Sequence, residues 1–471
     1  LSILAGSAER FAYDRDAQAV GIVHLGIGAF HRAHQAWYTD LALDRGDCDW
    51  AITGVSLRSG DVADQMNPQN GLFTVTERDG AGERNRVIGS IRNVLVAPRQ
   101  REDVFAALAA PGTRIVSLTV TEKGYARKAD GRLDFDLAAG GFYPLVAEAL
   151  ERRRNAGQPG LTLMSCDNLA ANGLQLQQLM TEYLAQERPE LLQWFEDACT
   201  CPSTMVDRIV PATTADDRAA LAARIGVSDE AAVFTEPFTQ WVVEDRFAAG
   251  RPRWDVVGAQ MVADVAPYES AKLRLLNGAH SALAYLGLRR GHTFVHEAIG
   301  DPAIRPLVEE LMRREAAPTV AAAPGQDLSG YADSLLLRFA NSALNHRLAQ
   351  IAMDGSQKIP QRWLETLAAA SVEGRRCPAI LTALGAWLSH VRGDNGPVDD
   401  PLAGTLARLW SEAGMSGIVG AVFGRSGVLA SEWTPDAYDC GEIERSIAAK
   451  SLTHPGSLSP HLTSLNQASD K

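Results

Sequence analysis

Between Tyr268 and His280 the chain reads Tyr-Glu-Ser-Ala-Lys-Leu-Arg-Leu-Leu-Asn-Gly-Ala-His. Glu269, Lys272, Asn277 and His280 bring a carboxylate, an amine, an amide and an imidazole into one short stretch. On an α-helix with Lys272 as the origin, Glu269 falls at about 60°, His280 at about 80° and Asn277 at about 140°. They share one side of a helix otherwise loaded with Leu273, Leu275, Leu276 and Leu283. A solvated face more usually repeats Lys and Glu. Metal-free oxidation of an alcohol needs this mixture: a desolvated lysine serves as general base, and an asparagine amide donates to the developing alkoxide. Structural polar groups near a helix end give a similar pattern, and that reading stays open at this point.

A second stretch suggests what would accept the hydride. An apolar strand, Gly21-Ile-Val-His-Leu, runs into Gly26-Ile-Gly-Ala-Phe-His31, and helical character follows from Phe30 to Leu43. Gly26 and Gly28 permit a tight turn and close approach of a pyrophosphate to a helix N-terminus, with Phe30 beside them. The third glycine of GxGxxG is absent and His31 takes its place. A plain tight turn has the same appearance. After the next strand, Trp50 to Ser56, comes Leu57-Arg-Ser-Gly-Asp61. Asp61 would hold ribose hydroxyls and favour NAD, whereas Arg58 could hold the 2′-phosphate of NADP, and an ordinary charged turn remains the alternative.

The elements that must position these residues fall into two groups. The first part repeats strand, turn and helix, with further strands at Val87–Ile91, Arg114–Val120 and Leu161–Cys166. Apolar strands separated by helical stretches imply a mostly parallel sheet. From Tyr268 onward long helical segments dominate: Ser270–Arg290, Ala303–Glu315, Tyr331–Met353 and Arg362–Arg392. The expected fold class is an α/β N-terminal domain over 1–265 and a mainly α-helical C-terminal domain over 266–471, with a loose tail from Ser451.

Composition narrows the function. A net charge of -12 over 471 residues argues against a nucleic-acid surface, which needs clustered cations. Six scattered cysteines, none in a CxxC pair, read as reduced thiols. His31 and His34 have no carboxylate or cysteine to complete a zinc set, so no metal is expected. Neither an apolar run of about 20 residues nor a basic-then-apolar leader stands in the sequence. A cytoplasmic enzyme of small molecules, with no membrane partner, monomeric or in a small homo-oligomer, is expected.

Several motifs taken in order carry a resemblance. They are Gly26–Gln35, Ser117-Leu-Thr-Val-Thr-Glu-Lys-Gly-Tyr125, Met164-Ser-Cys-Asp-Asn168, Met205–Pro211, Glu236–Trp241, Lys272–His280 and Met353–Pro360. Together they resemble, nearly end to end, the polyol-specific long-chain dehydrogenases, the family of mannitol 2-dehydrogenase and fructuronate reductase. The resemblance implies a Rossmann-like NAD-binding domain and a catalytic helical domain. It also implies Lys272 as general base, Asn168 and Asn277 as the oxyanion pair, and His280 orienting the substrate oxygen. Glu269 would couple to Lys272, and Asp207 and Arg338 would bind substrate hydroxyls. Lys123, where the mannitol branch tends to carry glycine, and Arg347 in Asn345-His-Arg347 look like the fructuronate reductase branch. A uronate carboxylate would reward such cations. The expected reaction is NAD-dependent reduction of D-fructuronate to D-mannonate. Mannitol 2-dehydrogenase or a related polyol dehydrogenase is the alternative, and a non-catalytic dinucleotide sensor a remoter one.

Overall fold

A computed structural model describes residues 8–128 and 130–449, so the expected loose tail from Ser451 lies outside the described residues. The chain divides into two compact units between Glu269 and Ser270. Among the described residues the first unit carries eleven strands: β1 Val20–Leu25, β2 Ala51–Ser56, β3 Phe73–Asp79, β4 Gly82–Ile88, β5 Ile91–Val96 and β6 Ile115–Leu118. They continue with β7 Thr162–Ser165, β8 Thr204–Asp207, β9 Val233–Thr235, β10 Gln240–Glu244 and β11 Gln260–Val262.

The central sheet runs β5-β2-β1-β6-β7 and every pairing in it is parallel. Its inner strands are largely apolar, and β2, β6 and β7 are buried throughout. This is the arrangement that continuous apolar runs dictate when crossover helices cover both faces. The chain order reverses between β1 and β6, which opens a crevice beyond their carboxyl ends. Two mixed three-stranded sheets, β4-β3-β9 and β11-β10-β8, extend the unit.

Some sequence expectations need correction. Val87–Ile91 is not one strand. It joins the end of the antiparallel β3–β4 hairpin to the start of β5, with Gly89-Ser90 between them. The helical stretch after the glycine loop breaks at His34 into Ala29–Ala33 and Gln35–Asp44. In the second unit, Tyr331–Met353 is interrupted after a helix over Leu328–Phe339, where Asn341 starts a tight turn by accepting from Ala343 N–H. Arg362–Arg392 breaks before Pro378, whose ring cannot continue the preceding helix.

The second unit is helical and its core is dense with Leu, Ala and Trp. The mostly apolar helix Pro378–Val391 has no side-chain cap of its own. Glu315 supplies one from another helix, accepting from Ala379 N–H at 2.7 Å and Ile380 N–H at 2.8 Å. A carboxylate there satisfies orphan donors and faces the positive helix end. Burial nonetheless dominates and pushes the carboxyl up to about 7.

A raised folded-state value stabilises below the unfolded value and loses that stabilisation as pH rises through the folded one. The shift from 4.5 to about 7 corresponds to about 3 kcal/mol lost between those pH values. The urea midpoint of the helical unit should therefore fall from pH 5 to pH 8 in wild type. In Glu315→Gln this fall should be largely absent, and identical pH slopes in the two proteins would refute the role.

Candidate functional site

The glycine loop lies at the reversal between β1 and β6. Gly26 has φ of 94°, and a side chain there would collide with the Thr119 carbonyl, so glycine is required. The Thr119 hydroxyl donates to Gly26 O at 2.6 Å. His24, fully buried beneath the loop, bridges Thr119 Oγ1 at 2.8 Å and Ser117 Oγ at 2.7 Å. Thr119 spends its single proton on Gly26, so Nε2 of His24 is the donor of the pair. Burial lowers the His24 imidazole to about 3, which keeps it neutral.

A cavity of about 420 Å³ opens above this loop, walled by Gly26, Gly28, the end of β2 from Ser56 to Ser59, and the segment Thr119–Thr121 with Lys123. The structure thus brings Gly26, Gly28, Arg58 and Lys123 to one cavity. Asp61 stands beyond that wall, exposed in the first turn of the helix Asp61–Met66. Phe30 stacks on His34, with ring centroids 5.0 Å apart. The wall fits a dinucleotide: a glycine loop at a switch point, open at Gly28, where an added Cβ would meet nothing closer than 3.9 Å.

Asp167, which sequence reasoning passed over, holds the segment opposite. Its carboxylate accepts from Val120 N–H and Thr121 N–H at 3.0 Å each and from the Tyr125 hydroxyl at 2.9 Å. Burial raises its carboxyl against the pull of those donors. Asn168 follows it, exposed, on the loop leading to the helix Asn172–Glu187. Glu269 reaches the same loop, both carboxylate oxygens accepting from Ala171 N–H at 3.1 Å. Asp207 is buried at the end of β8. Beside it Arg208, also buried, pairs with Glu77 and covers the ring of Trp37.

In the second unit the uniform helix assumed from sequence gives way. Lys272 opens and Asn277 closes a six-residue π-helical segment between the α-helices Ala266–Ala271 and Gly278–Arg289. The wider turn changes where Asn277 and His280 point relative to Lys272, so the 100° wheel does not apply across it. Arg362 and Trp363 brace its end, donating to Asn277 O at 3.3 Å and Gly278 O at 3.1 Å.

His280 is buried, 4.8 Å from the Phe339 ring and 5.3 Å from the His346 ring, and its Nε2 has no hydrogen-bond partner among the described residues. Burial holds its imidazole well below the ordinary range, helped by His346, Arg338 and Arg362, so it is neutral at pH 7. The structure therefore gathers His280 with Arg338, His346 and Arg362. Arg347 is exposed instead, its guanidinium 5.7 Å over the Phe294 ring. Among the described residues no group of three or more His, Cys, Asp or Glu side chains could hold a metal ion. None of the described helices is long and apolar enough to cross a membrane.

A five-stranded parallel sheet with a glycine loop at its switch point, followed by a helical unit with a buried imidazole, defines a two-unit nucleotide-binding oxidoreductase architecture. Comparison sharpens this. A model of the mannitol dehydrogenase Rossmann domain matches residues 20–256, and one of the mannitol dehydrogenase C-terminal domain matches residues 264–415. The chain belongs to the mannitol dehydrogenase family of oxidoreductases. It is 40% identical over 456 residues to D-mannonate oxidoreductase of Escherichia coli K12, covering 92% of this chain and 94% of that one. It is 39% identical to mannitol 2-dehydrogenase of Phaeosphaeria nodorum, covering 84% and 73%. The structure of Pseudomonas fluorescens mannitol 2-dehydrogenase with NAD and D-mannitol superposes with a TM-score of 0.80 at 36% identity, covering 95% of each chain. A substrate-free D-sorbitol dehydrogenase gives 0.87 at 33% identity, covering 94% and 95%.

The Asp167 clamp is directly testable. Asp167→Ala removes the shared acceptor of two backbone donors and one hydroxyl. It should destabilise the first unit by about 1.5–3 kcal/mol, the usual worth of bonds to a charged group. Urea unfolding followed by near-ultraviolet signals measures this, and a change below about 0.5 kcal/mol would dismiss the clamp.

Proposed function

We propose that the protein is a fructuronate reductase, interconverting D-fructuronate and D-mannonate with NAD. The observation that carries this reading is the charge around His280. The ionised side chains acting on that buried ring are the guanidiniums of Arg338 and Arg362. A cationic setting rewards a substrate that carries a carboxylate more than a neutral polyol. The likeness to D-mannonate oxidoreductase over nine-tenths of both chains supports the same choice. Mannitol oxidation is the second reading, favoured by the likeness to the mannitol 2-dehydrogenase bound to NAD and D-mannitol.

NAD, when bound, supplies the hydride acceptor for alcohol oxidation. Gly26 and Gly28 present backbone to its pyrophosphate. Lys272 takes the proton of the secondary hydroxyl, and returns it to the oxygen in the reducing direction. Asn168 and Asn277 donate to that oxygen as it gains negative charge, and neutral His280 orients it through Nε2. Glu269 steadies the loop that carries Asn168 and modulates the proton on Lys272. Asp207 and Arg338 bind the substrate's polar groups.

The test is kcat/KM for D-fructuronate and D-fructose, measured side by side with NADH. The uronate should be favoured by at least about tenfold, matching one charge-assisted contact of about 1.5 kcal/mol. Lys272→Ala should lower turnover of the uronate by about 10²–10⁴-fold with NADH affinity nearly unchanged. Faster turnover of fructose would transfer the proposal to mannitol 2-dehydrogenase. Near-normal turnover in Lys272→Ala would remove the base.

A further inference from the structure

Lys123 suggests a substrate cation when read from sequence, yet it lines the same cavity as Gly26 and Gly28. We propose that Lys123 is a phosphate-binding residue for the dinucleotide, acting on its pyrophosphate rather than on the substrate's carboxylate. The inference rests on the dinucleotide reading of that cavity.

Three observations carry it. The first is charge. The chain has a net charge of -12, but the residues lining this cavity include two cations, Arg58 and Lys123, and no carboxylate. A locally positive hollow in an acidic protein selects an anion. The second is position. Arg58 follows β2, where the adenosine ribose of a dinucleotide lies in this strand order, while Lys123 follows β6, across the switch point from the glycine loop. In a doubly wound sheet the pyrophosphate spans that switch point. A diphosphate there would lie between Lys123 and the loop of Gly26 and Gly28.

The third is the construction of the loop. Lys123 sits in a single 3-10 turn, Glu122–Tyr125, flanked by two non-glycine residues with left-handed backbone, Thr121 at φ 63° and Ala126 at φ 51°. Such conformations persist only where surrounding bonds impose them, and they gather at ligand sites. Here the Asp167 carboxylate imposes them by holding Val120 N–H, Thr121 N–H and the Tyr125 hydroxyl. At Gly124, next to Lys123, an added Cβ would come within 2.7 Å of the Val120 side chain. The turn thus lies flat against Val120 and Lys123 remains exposed on it.

Binding separates this from a substrate role, because NADH titration needs no turnover. Wild type, Lys123→Met and Lys123→Arg are titrated with NADH, ADP-ribose and adenosine, following protein fluorescence. Lys123→Met should weaken NADH and ADP-ribose about tenfold each, the loss expected for one charge-assisted bond, and leave adenosine unchanged. Lys123→Arg should restore most of the affinity. The wild-type advantage should shrink as salt rises, because the ammonium is exposed. In turnover, kcat/KM should fall equally for fructuronate and fructose. Unchanged NADH affinity in Lys123→Met, or a loss confined to fructuronate, would overturn the proposal and return Lys123 to the substrate. Absence of NADH binding by wild type would instead remove the dinucleotide reading itself.

Discussion

The backbone of Gly26 lies so close to the Thr119 carbonyl that no side chain fits between them, and the first unit is organised around that contact. β1 and β6 run side by side up to this point, and the chain order reverses between them. The seam is held from three directions. Thr119 bonds Gly26 across it, His24 bridges Thr119 and Ser117 from within the sheet, and Asp167 grips the chain just beyond. Each of these groups is a polar side chain whose partners are supplied by the fold, so the loop is preorganised before any ligand arrives. Preorganisation matters because ordering a loop on binding would subtract from affinity.

The helical unit solves a different problem, keeping a polar imidazole available inside an apolar core. His280 stands among Phe339, His346 and two guanidiniums, with burial keeping it neutral. A neutral ring can both donate and accept, which a charged one cannot. The π-helical segment carries Lys272 and Asn277 at its two ends. Such segments expose backbone and re-aim side chains, and their cost is met here by Arg362 and Trp363 donating to the carbonyls beside them.

Much of the architecture was legible from local pattern. Gly21 to Gly26, Trp50 to Ser56 and Leu161 to Cys166 are apolar on both faces, and that alone implies a covered parallel sheet. Gly26 and Gly28 are legible as a glycine pair after an apolar strand, and at Gly26 the left-handed backbone requires glycine. Ile91–Val96 was not, because Arg92 and Asn93 interrupt its apolar run at the edge of the sheet. The π segment was invisible because one extra residue per turn leaves no mark on composition. Asp167 was passed over beside Asn168, since a carboxylate that caps backbone donors can be recognised only once those donors have been folded against it. Lys123 is legible as a cation, but its place in the cavity with Gly26 and Gly28 is not, because that depends on how β6 lies beside β1. Glu269 shows the same limit: its bond to Ala171 N–H joins residues far apart in the chain.

One measurement reaches the contact of Gly26 with Thr119 directly: NADH titration of wild type and Gly26→Ala by protein fluorescence, with near-ultraviolet spectra to verify that both proteins fold. A Cβ at position 26 must push the Thr119 backbone away and spoil the loop that faces the cavity. Saturable binding by wild type, together with none by a folded Gly26→Ala, is the result the account predicts. Equal NADH affinity in the two proteins would contradict it.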